Sequence, residues 1–590
     1  NIRMTRQAYG LESVKEQDFP AEDRLTSAAL ERTSRTSKNI RLGDHGPLLT
    51  TFAQLQEIRT YYKFADVDVA RYTVNGELRQ VVLSAREMSY QHLPSRVWIN
   101  EHLTFTHGFG LVAGPVNRIT PEGLPELWVK DIPPNASGGF PKITRPELYY
   151  GELSNEYVIV RTKSQELDYP SGDQNVYSRY SGRGGVPVDS FLRKLAFAIR
   201  FGEIKILLSD DLTGESRVMM YRRVAERVRQ AAPFLRFDRD PYLVVTAEGR
   251  LVWIADAYTT TDRYPYAQPD RGLNYIRNSV KATVDAFDGT VVFYIADPKD
   301  PLVRTWARVF PGLFTPLDKM PADLRAHVRY PEDLFSLQVK MYGTYHMQDP
   351  QVFYNKEDLW TIPRLTQEGR DREIEPYFTI MRLPGHKREE FVLLSGFNPA
   401  RRDNMIAIMA ARADAPNYGG LIVYTFPKQK LVYGPRQIDA RISQDPVISA
   451  AISLWNQQGS RVIRGSMLAI PIEESVIYVQ PLYLSAEQGA LPELRRVIVA
   501  FGNQIAMEPT LEQSLQRIFG GRVRGDEPAQ ARGADGKPAL GTPAAMVGLV
   551  QRAWESWQRG QDALKRGDWT AYGQAQKQLE ETLRQLRESR

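Results

Sequence analysis

Cysteine is absent from this sequence of 590 residues. The absence excludes disulfide bonds, thiolate zinc sites and catalysis by a cysteine nucleophile. It fits an oxidising exterior, where a free thiol is a liability, but it fits a thermophilic protein equally well. Cysteine content alone therefore does not decide the compartment.

Long hydrophobic runs are also missing. A membrane-spanning helix needs about 18 or more consecutive apolar residues, whereas stretches such as VIVAF (497–501) have only the length of a strand. We therefore expect no membrane span in this sequence. It opens with NIRMTRQAYG, without an initiator methionine or a charged-then-apolar signal region, so we expect it to be part of a longer protein.

The net charge is small for the length, since 76 Lys and Arg residues against 70 Asp and Glu residues give +6. Nucleic-acid binding requires a concentrated basic stripe. The most basic stretch, YRRVAERVR (221–229), has apolar residues at helical spacing, which favours the solvated face of an amphipathic helix over a phosphate-binding helix. We predict no nucleic-acid partner.

Common catalytic signatures do not occur. The sequence has no G-x-S-x-G elbow, no H-E-x-x-H metal motif and no G-x-x-x-x-G-K-[ST] phosphate loop. The stretch GFGLVA (108–113) fits the dinucleotide pattern G-x-G-x-x-A, but Gly114 and Pro115 follow where that site needs a helix. We predict no nucleotide cofactor, although other kinds of enzyme stay open.

The patterns that are present indicate a mixed α+β fold of several domains. About 100–200 residues per domain is usual, and 42% hydrophobic with 25% charged residues suits packed cores. We predict five regions: an N-terminal, loop-rich α/β domain (1–148), a central α+β domain (149–374), a second α/β region (375–520), a flexible linker (521–542) and a C-terminal helical hairpin (543–590).

Local signals support this division. The pair Asn75-Gly76 between strand-like runs predicts a hairpin. Apolar spacing predicts helices over residues 51–62 and 191–200, the second capped by Asp189. Prolines at first helical positions predict further helices at Pro301 and Pro331.

Acidic pairs are the candidate metal ligands. Asp66 and Asp68 are two residues apart in an extended segment, which places both carboxylates on one side of it. Carboxylates and backbone carbonyls are the usual ligands of Ca²⁺. The sequence predicts Asp66 and Asp68 as calcium ligands, with turn formation and helix capping as the alternative role. Asp238 and Asp240 have similar spacing, and Asp297 with Asp300 is a looser version.

Aromatic loops are the candidate binding surfaces. The stretches YTTTDRYPY (258–266) and YSRYSGRGG (177–185) carry Tyr, Arg, Gly and Asp in turn-rich chain, which suits contact with a glycan or a protein. Such loops also pack locally, so both interpretations stay open. The seven histidines favour structural hydrogen bonding.

Several stretches together resemble an uncharacterised bacterial family, protein family 0182, of large polytopic membrane proteins. The resemblance covers nearly the whole sequence and is carried by these strings: NIRMTRQAYGL (1–11), QLQEIRTYYKFADVDVARY (54–72), HLTFTHGFGLVAGPVNRITPEGLPELWVKDIPP (102–134), RPELYYGELSNEYVIV (145–160), WIADAYTTTDRYPYA (253–267), FPGLFTPLDKMPADLRAHVRYPEDLF (310–335), FPKQKLVYGPRQIDARI (426–442) and LWNQQGSRVIRG (454–465).

The resemblance implies several N-terminal membrane spans that this sequence lacks, followed by a large extracytoplasmic portion and a C-terminal helical segment. It implies no catalytic residues. The family usually has a further Asp where this chain has Ala70, which weakens a metal site at Asp66 and Asp68.

Two functions follow as hypotheses. The first is a membrane-anchored, extracellular or periplasmic interaction or scaffold protein of the cell envelope, with its own transmembrane region, another copy of itself, a glycan or an envelope protein as partner. The alternative is an envelope hydrolase or transferase acting on a glycan or lipid, with its site in residues 108–146 or near Asp256, Asp262 and Arg263.

Overall fold

The computed structural model describes residues 1–520, apart from 368–369, 458 and 487–490, and further along the chain residues 553, 556–560 and 569–588. Two compact units are present, Asn1–Gly525 and Asp526–Arg590. The predicted linker (521–542) lies outside the described residues, as does much of the predicted helical hairpin. The predicted domain boundaries stay predictions.

Helices and strands alternate throughout the first unit, and the predicted mixed α+β class is confirmed. The strands are β1 Lys15–Asp18, β2 Tyr62–Phe64, β3 Asp68–Val74, β4 Glu77–Met88, β5 Gly108–Phe109, β6 Leu111–Pro115, β7 Val129–Lys130, β8 Asn135–Ala136, β9 Glu147–Leu148, β10 Val158–Val160, β11 Glu166–Ser171, β12 Gln174–Ser178, β13 Val186–Pro187, β14 Arg217–Met219, β15 Arg236–Phe237, β16 Tyr242–Val245, β17 Leu251–Thr261, β18 Tyr275–Asp285, β19 Val291–Ile295, β20 Phe314–Pro316, β21 Trp360–Thr361, β22 Arg364–Gln367, β23 Arg370–Glu373, β24 Tyr377–Arg382, β25 Glu389–Pro399, β26 Ala407–Arg412, β27 Leu421–Thr425, β28 Ser460–Arg464, β29 Leu468–Ile472, β30 Ser475–Ala486, β31 Glu493–Phe501 and β32 Gln504–Glu508.

The α-helices are α1 Ile2–Ala8, α2 Ser27–Arg32, α3 Ser34–Ser37, α4 His45–Gln56, α5 Phe191–Phe201, α6 Lys205–Leu208, α7 Val224–Ala231, α8 Pro301–Val309, α9 Ala322–Ala326, α10 Glu332–Tyr345, α11 Pro350–Asn355, α12 Pro435–Gln444, α13 Pro446–Trp455, α14 Leu511–Phe519 and α15 Trp569–Glu588. Shorter helical turns occupy Tyr90–His92, Asn100–Thr104 and Leu317–Lys319.

The predicted hairpin at Asn75-Gly76 is confirmed as the turn between β3 and β4. Both turn residues have positive φ, 52° and 79°, which is the conformation that an Asn-Gly pair favours in a two-residue hairpin. β4 also pairs with β2 and β6, so it is a central strand of its sheet. Side chains on β3 and β4 therefore have fixed positions relative to each other.

Four larger sheets make up most of the strand content of the described chain. Besides the sheet around β4, one is ordered β15-β17-β18-β19-β20 with β16 beside β17, and another is ordered β28-β30-β31-β32 with β29 beside β30. The fourth is ordered β1-β27-β26-β25-β21, with β24 beside β25. β1 runs parallel to β27, so the first residues of the chain complete a sheet formed near residue 420.

Helix ends agree in part with the predicted caps. The Asp300 side chain caps α8, where it accepts hydrogen bonds from the N–H groups of Leu302 and Val303 at 3.3 and 3.1 Å. Ser190, not the predicted Asp189, caps α5. Asp189 instead pairs with the guanidinium group of Arg193 at 3.1 Å, one helical turn further on.

Two local predictions were wrong. The helix expected over residues 51–62 is α4, which begins and ends six residues earlier, because Tyr62 belongs to a strand that pairs with Met88. Arg222, expected on a solvated face, is fully buried.

Arg222 is buried because its guanidinium group replaces water with protein acceptors. It donates to the carbonyl oxygen of Tyr149 at 2.7 Å and to the Tyr90 hydroxyl at 2.7 Å. A buried charge is tolerated when such hydrogen bonds satisfy it. The amphipathic helix, α7, begins two residues later, at Val224.

The second unit contains the long helix α15. Residues 556–560 are also helical, and Ala575 of α15 is 6% exposed. A Cβ atom built on Gly560 would lie 3.7 Å from the Cβ of Ala575, so the two helical segments are in contact at these small residues.

Candidate functional site: a buried carboxylate cluster

Three carboxyl groups from separate parts of the first unit converge on one point. Asp66, Glu152 and Asp240 each place one carboxylate oxygen within 4.8 Å of the other two. Ligands at the usual Ca²⁺–oxygen distance of about 2.3–2.6 Å lie at most about 5 Å apart around one ion. The separation of the three oxygens is therefore compatible with a shared cation.

Asp66 lies just before β3 and is held from two sides. Its Oδ1 accepts a hydrogen bond from the N–H of Val67 at 2.7 Å and contacts Nε2 of His45, the first residue of α4. Its backbone carbonyl accepts a hydrogen bond from the Ser84 hydroxyl on β4. The packing of α4 against the β3–β4 hairpin thus fixes this carboxylate.

Glu152 lies in the loop after β9, and the backbone of that loop is held by another carboxylate. Glu87 on β4 accepts hydrogen bonds from the N–H groups of Glu152 and Leu153 at 2.7 and 2.8 Å. Gly151 passes so close that a Cβ atom there would lie 2.2 Å from Oε2 of Glu87. Trp253, fully buried on β17, donates to the carbonyl oxygen of Tyr150 at 3.0 Å.

Asp240 lies in the short connection between β15 and β16. Its N–H donates to Oδ1 of Asp238 at 3.2 Å, and its carboxylate pairs with the guanidinium group of Arg329. Asp238 in turn accepts hydrogen bonds from the Tyr258 hydroxyl and, at 3.2 Å, from the N–H of Asp333. This network fixes the loop that carries Asp240.

Asp68, the first residue of β3, lies deeper than the three converging groups and is 4% exposed. Its Oδ2 accepts a hydrogen bond from the N–H of Leu243 at 2.9 Å. Its Oδ1 has no hydrogen-bond partner among the described residues. Leaving a buried polar atom unpaired costs about 1–3 kcal/mol, so a further hydrogen bond or a cation contact at this oxygen would stabilise the fold.

Burial and mutual repulsion raise the pKa values of most of these carboxyl groups. Burial, followed by the charge of Asp240, raises the pKa of Asp68 well above its usual range. Burial also raises the pKa of Asp240, against the attraction of Arg329. Burial and the charges of Asp68 and Glu87 raise the pKa of Glu152 to about 10. Without a cation, neutral pH therefore favours protonated carboxyl groups.

Asp66 shows the opposite behaviour. Burial opposes its charge, but the hydrogen bonds from His45 and from the N–H of Val67 hold its pKa below the usual value. The same hydrogen bond to Asp66 raises the pKa of His45. One member of the cluster is thus kept ionised while its neighbours are pushed toward the neutral form.

Arg329 is the principal counter-charge. It is 3% exposed, lies 4.0 Å from the ring centroid of Tyr242 and donates to the carbonyl oxygen of Val69 at 3.2 Å. Burial opposes its charge, but Asp240, Glu332 and Asp68 raise its pKa. Burial, against the attraction of Arg329, raises the pKa of Glu332 to about 7. The acidic groups around Arg329 outnumber it, so the site becomes net negative when these groups are ionised.

Similarity to known proteins places the chain in a family. The model of the uncharacterised protein family UPF0182 matches residues 1–455. A curated UPF0182 protein of Geotalea uraniireducens is 55% identical over 591 residues, covering 99% of this chain and 65% of the relative. The chain belongs to UPF0182.

Other UPF0182 relatives extend across bacteria. A protein of Geobacter sulfurreducens is 54% identical and one of Desulforamulus reducens is 50% identical, each covering 99% of this chain. The chain spans 65% of the length of the Geotalea protein and 64% of the other two. No solved structure matches the chain. Among its described residues, no helix has the length and apolar character needed to cross a membrane.

The predicted metal ligands of this UPF0182 chain lie at the cluster, one in the converging trio and one beneath it. Asp240 belongs to the second acidic pair noted in the sequence. The other member of that pair, Asp238, fixes the loop that carries Asp240. In the third pair, Asp297 accepts a hydrogen bond from the N–H of Lys299 at 3.0 Å and Asp300 caps α8, which are turn and capping roles.

The residues that sequence reasoning missed are Glu152, His45 and Arg329. None of them has an acidic partner at metal-ligand spacing in the sequence. The available signal for Glu152 was the stretch YYGEL (149–153), where two aromatic residues and a glycine precede an acid. Convergence of distant loops is a tertiary property that spacing along the chain does not report.

The three residues suggested near the site of an envelope enzyme have different surroundings. Asp256 is 2% exposed and pairs with the buried ammonium group of Lys281. The side chains of Asp262 and Arg263 are 71% and 91% exposed and contact each other at 3.9 Å. A cavity of about 220 Å³ lies elsewhere, lined in part by Asp23 and Tyr478.

Proposed function

We propose that this chain is the extracytoplasmic portion of a bacterial membrane protein of the cell envelope, and that it acts as an interaction or scaffold module stabilised by Ca²⁺ at the carboxylate cluster. The observation that carries the cation site is the convergence of Asp66, Glu152 and Asp240 within 4.8 Å, and the buried, unpaired Oδ1 of Asp68 supports it. Three carboxylate ligands leave positions for water in the six to eight that Ca²⁺ takes.

The position of the cluster favours a structural role. It joins segments around residues 66, 152 and 240, which are far apart in the sequence, and its central groups are buried or half-buried. A cation there links the β3–β4 hairpin, the loop after β9 and the β15–β16 connection. Such a link stabilises a binding surface without itself contacting a partner.

The extracytoplasmic placement rests on the family resemblance and agrees with the ligand chemistry. Extracellular modules bind Ca²⁺ with dissociation constants of about 10⁻⁴–10⁻³ M. Arg329 competes with a cation for Asp240, so we expect an affinity in this weak range. A site of that affinity fills only where the free Ca²⁺ concentration is high, as it is outside cells.

Calcium titration tests the site. The chain is freed of metal with a chelator and titrated with Ca²⁺ and Mg²⁺ by calorimetry, while thermal unfolding is followed in parallel. At a Ca²⁺ concentration 100 times the dissociation constant, we expect about 2.7 kcal/mol of added stability. The variants Asp66→Asn and Glu152→Gln should lose the Ca²⁺ response.

The matched control is Asp262→Asn, which removes an exposed carboxylate remote from the cluster. It should respond to Ca²⁺ like the wild type. If the wild-type chain unfolds at the same temperature in Ca²⁺ and in chelator, the proposed cation site is wrong. Binding of Mg²⁺ in preference to Ca²⁺ corrects the identity of the ion.

Protease access tests the placement. In cells that make a full-length member of the family, protease added outside the cytoplasmic membrane should cleave loops of this region. A tag fused to the region should likewise be accessible from outside. Protection in intact spheroplasts, with cleavage only after lysis, would place the region in the cytoplasm and refute this part of the proposal.

One observation favours the alternative, an envelope hydrolase or transferase acting on a glycan or lipid. Asp66 has a lowered pKa while Glu152 nearby has one of about 10, and such divided pKa values occur where one carboxyl group donates a proton and another stays charged. Incubation of the chain with cell-wall glycan and envelope lipid, followed by mass spectrometry, tests it. Products that form with the wild type but not with Glu152→Gln would support catalysis.

A further inference from the structure

Two consecutive helices carry an exposed apolar face. α5 and α6 are held in place by one side only, and five large hydrophobic side chains project from the other. Their exposed fractions are Phe191 70%, Leu192 75%, Ile199 73%, Ile204 58% and Leu208 73%. We call these five residues the α5–α6 face.

The inner side of these helices is firmly packed. Phe197 and Ile206 are buried in a core cluster with Trp98 and Leu103. Phe201 stacks on Tyr157, with ring centroids 4.0 Å apart. The outer residues are therefore exposed because the helices are apolar on both sides, not because the helices are loosely attached. A helix that is apolar all round is normally covered.

The segment whose Trp98 packs against Phe197 and Ile206 also exposes apolar side chains. Val97 and Ile99, which flank the buried Trp98, are 54% and 45% exposed. Exposed apolar surface marks contact sites for proteins or membranes when it forms a large patch.

Two basic side chains at the face favour an anionic partner. The segment carries Arg193, Lys194, Arg200 and Lys205 against Glu203, and Asp189, Asp210 and Asp211 lie just outside it. Arg193 pairs with Asp189 and Lys205 with Glu203, whereas Lys194 and Arg200 donate to the neutral oxygens of Leu212 and Tyr221. Exposed Phe, Leu and Ile bordered by Lys and Arg are the composition of helices that lie in the headgroup region of an anionic bilayer. A two-fold contact between two copies would instead bring these like charges together.

We propose that the α5–α6 face docks on an anionic lipid surface, with its apolar side chains at the boundary between headgroups and acyl chains. The inference deepens the proposed membrane association and does not depend on the cation site. A membrane-proximal face would fix the orientation of the whole first unit relative to the bilayer.

Vesicle flotation tests the docking. The chain is mixed with vesicles of phosphatidylglycerol and phosphatidylethanolamine, and with vesicles of phosphatidylcholine alone. We expect co-flotation with the anionic vesicles, reduced at high salt. The double variant Leu192→Asp/Ile199→Asp should lower the bound fraction by about tenfold or more.

The control is a matched pair of exposed apolar residues on another helix. Val447 and Leu454 on α13 are 70% and 67% exposed. The variant Val447→Asp/Leu454→Asp should bind vesicles like the wild type. Thermal unfolding of both double variants checks that each is folded, and the exposure of all four residues makes wild-type transitions the expected result.

The charge requirement has its own test. The variant Lys194→Gln/Arg200→Gln should weaken binding to anionic vesicles by about thirtyfold, since each of the two charges contributes roughly 1 kcal/mol. Absence of wild-type binding, or equal binding by wild type and Leu192→Asp/Ile199→Asp, overturns the proposal. Dimers in light scattering that the same variant disrupts would assign the face to a second copy instead. The vesicle experiments do not depend on calcium binding or on the result of the protease experiment. The docking proposal can therefore fail or hold independently of the other two proposals.

Discussion

The carboxylate cluster and the α5–α6 face depart from the usual distribution of residues in opposite directions. The first buries ionisable groups, with Asp68 at 4% exposure, and the second exposes apolar surface, with Leu192 at 75%. Each arrangement is unfavourable for the isolated chain, and under the two proposals it becomes favourable when a ligand is added, a cation in one case and a lipid surface in the other. The comparison teaches that both kinds of departure point to something the protein binds.

The largest expected effect comes from removing the counter-charge of the cluster. The variant Arg329→Met should lower the free energy of unfolding by about 3–5 kcal/mol, because it removes the buried positive charge that offsets buried Asp68 and half-buried Asp240. Denaturant unfolding in chelator measures this loss. Arg263→Met, whose side chain is 91% exposed, is the control and should change stability by less than about 0.5 kcal/mol. A small effect for Arg329→Met would show that water reaches the cluster.

The second-largest effect is expected in the pH dependence of the free energy of unfolding. Glu332 and Glu152 have folded-state pKa values of about 7 and about 10, above the ordinary 4.5. The folded chain therefore binds more protons than the unfolded chain above pH 4.5. Without metal, stability should fall as pH rises through the neutral range, by at most about 1.4 kcal/mol per pH unit for each group still protonated.

Calcium should reverse this trend, because it binds the ionised carboxylates. Its stabilising effect should grow between pH 6 and pH 9, as measured by thermal unfolding at fixed Ca²⁺ concentration. In Glu152→Gln the metal-free pH dependence above pH 7 should flatten. A metal-free chain whose stability rises with pH across this range would contradict the buried, repelling arrangement of the carboxyl groups.

A smaller change in the free energy of unfolding is expected from substitution of Asp68, whose Oδ1 is unpaired. Asp68→Asn removes the buried ionisable group but keeps a carbonyl-type oxygen for the N–H of Leu243. In chelator this variant should be more stable than the wild type by about 1 kcal/mol, while its response to Ca²⁺ should weaken. Denaturant unfolding with and without Ca²⁺ separates the two outcomes. Lower stability in chelator would mean that Asp68 is satisfied as it stands.

The smallest effect should come from the other region. Leu192→Asp/Ile199→Asp should change the free energy of unfolding in solution by less than about 0.5 kcal/mol per substitution, because both side chains are already hydrated. Its effect should appear only with vesicles. A large loss of stability in solution would show that these residues support the fold, and the contrast between the two regions would then fail.

Local structure was the part that the sequence predicted well. The Asn75-Gly76 hairpin and the proline-started helix at Pro301 depend on backbone preferences of a few adjacent residues, and both are present. Predictions that required knowledge of neighbours were less successful. Arg222 was assigned to a solvated face because its burial depends on carbonyl groups of segments far along the chain.

The predictions for the candidate site also succeeded for adjacent residues and failed for residues brought together by the fold. Asp66 and Asp68 were predicted because two acids alternate along an extended segment. Glu152 was missed because its place depends on Glu87 holding the loop and on Gly151 allowing close approach. The exposed apolar face of α5 was also missed, because apolar periodicity does not reveal which side of a helix the fold covers.

The pairing of β1 with β27 bears on how the chain folds during synthesis. β1 must wait for a partner made about 400 residues later, which at about 5–20 residues per second takes about 20–80 s. During that time its sequence, KEQD, is too polar and charged to aggregate as an open strand edge. The late addition of this strand would therefore make the first residues of the chain among the last to reach their native position.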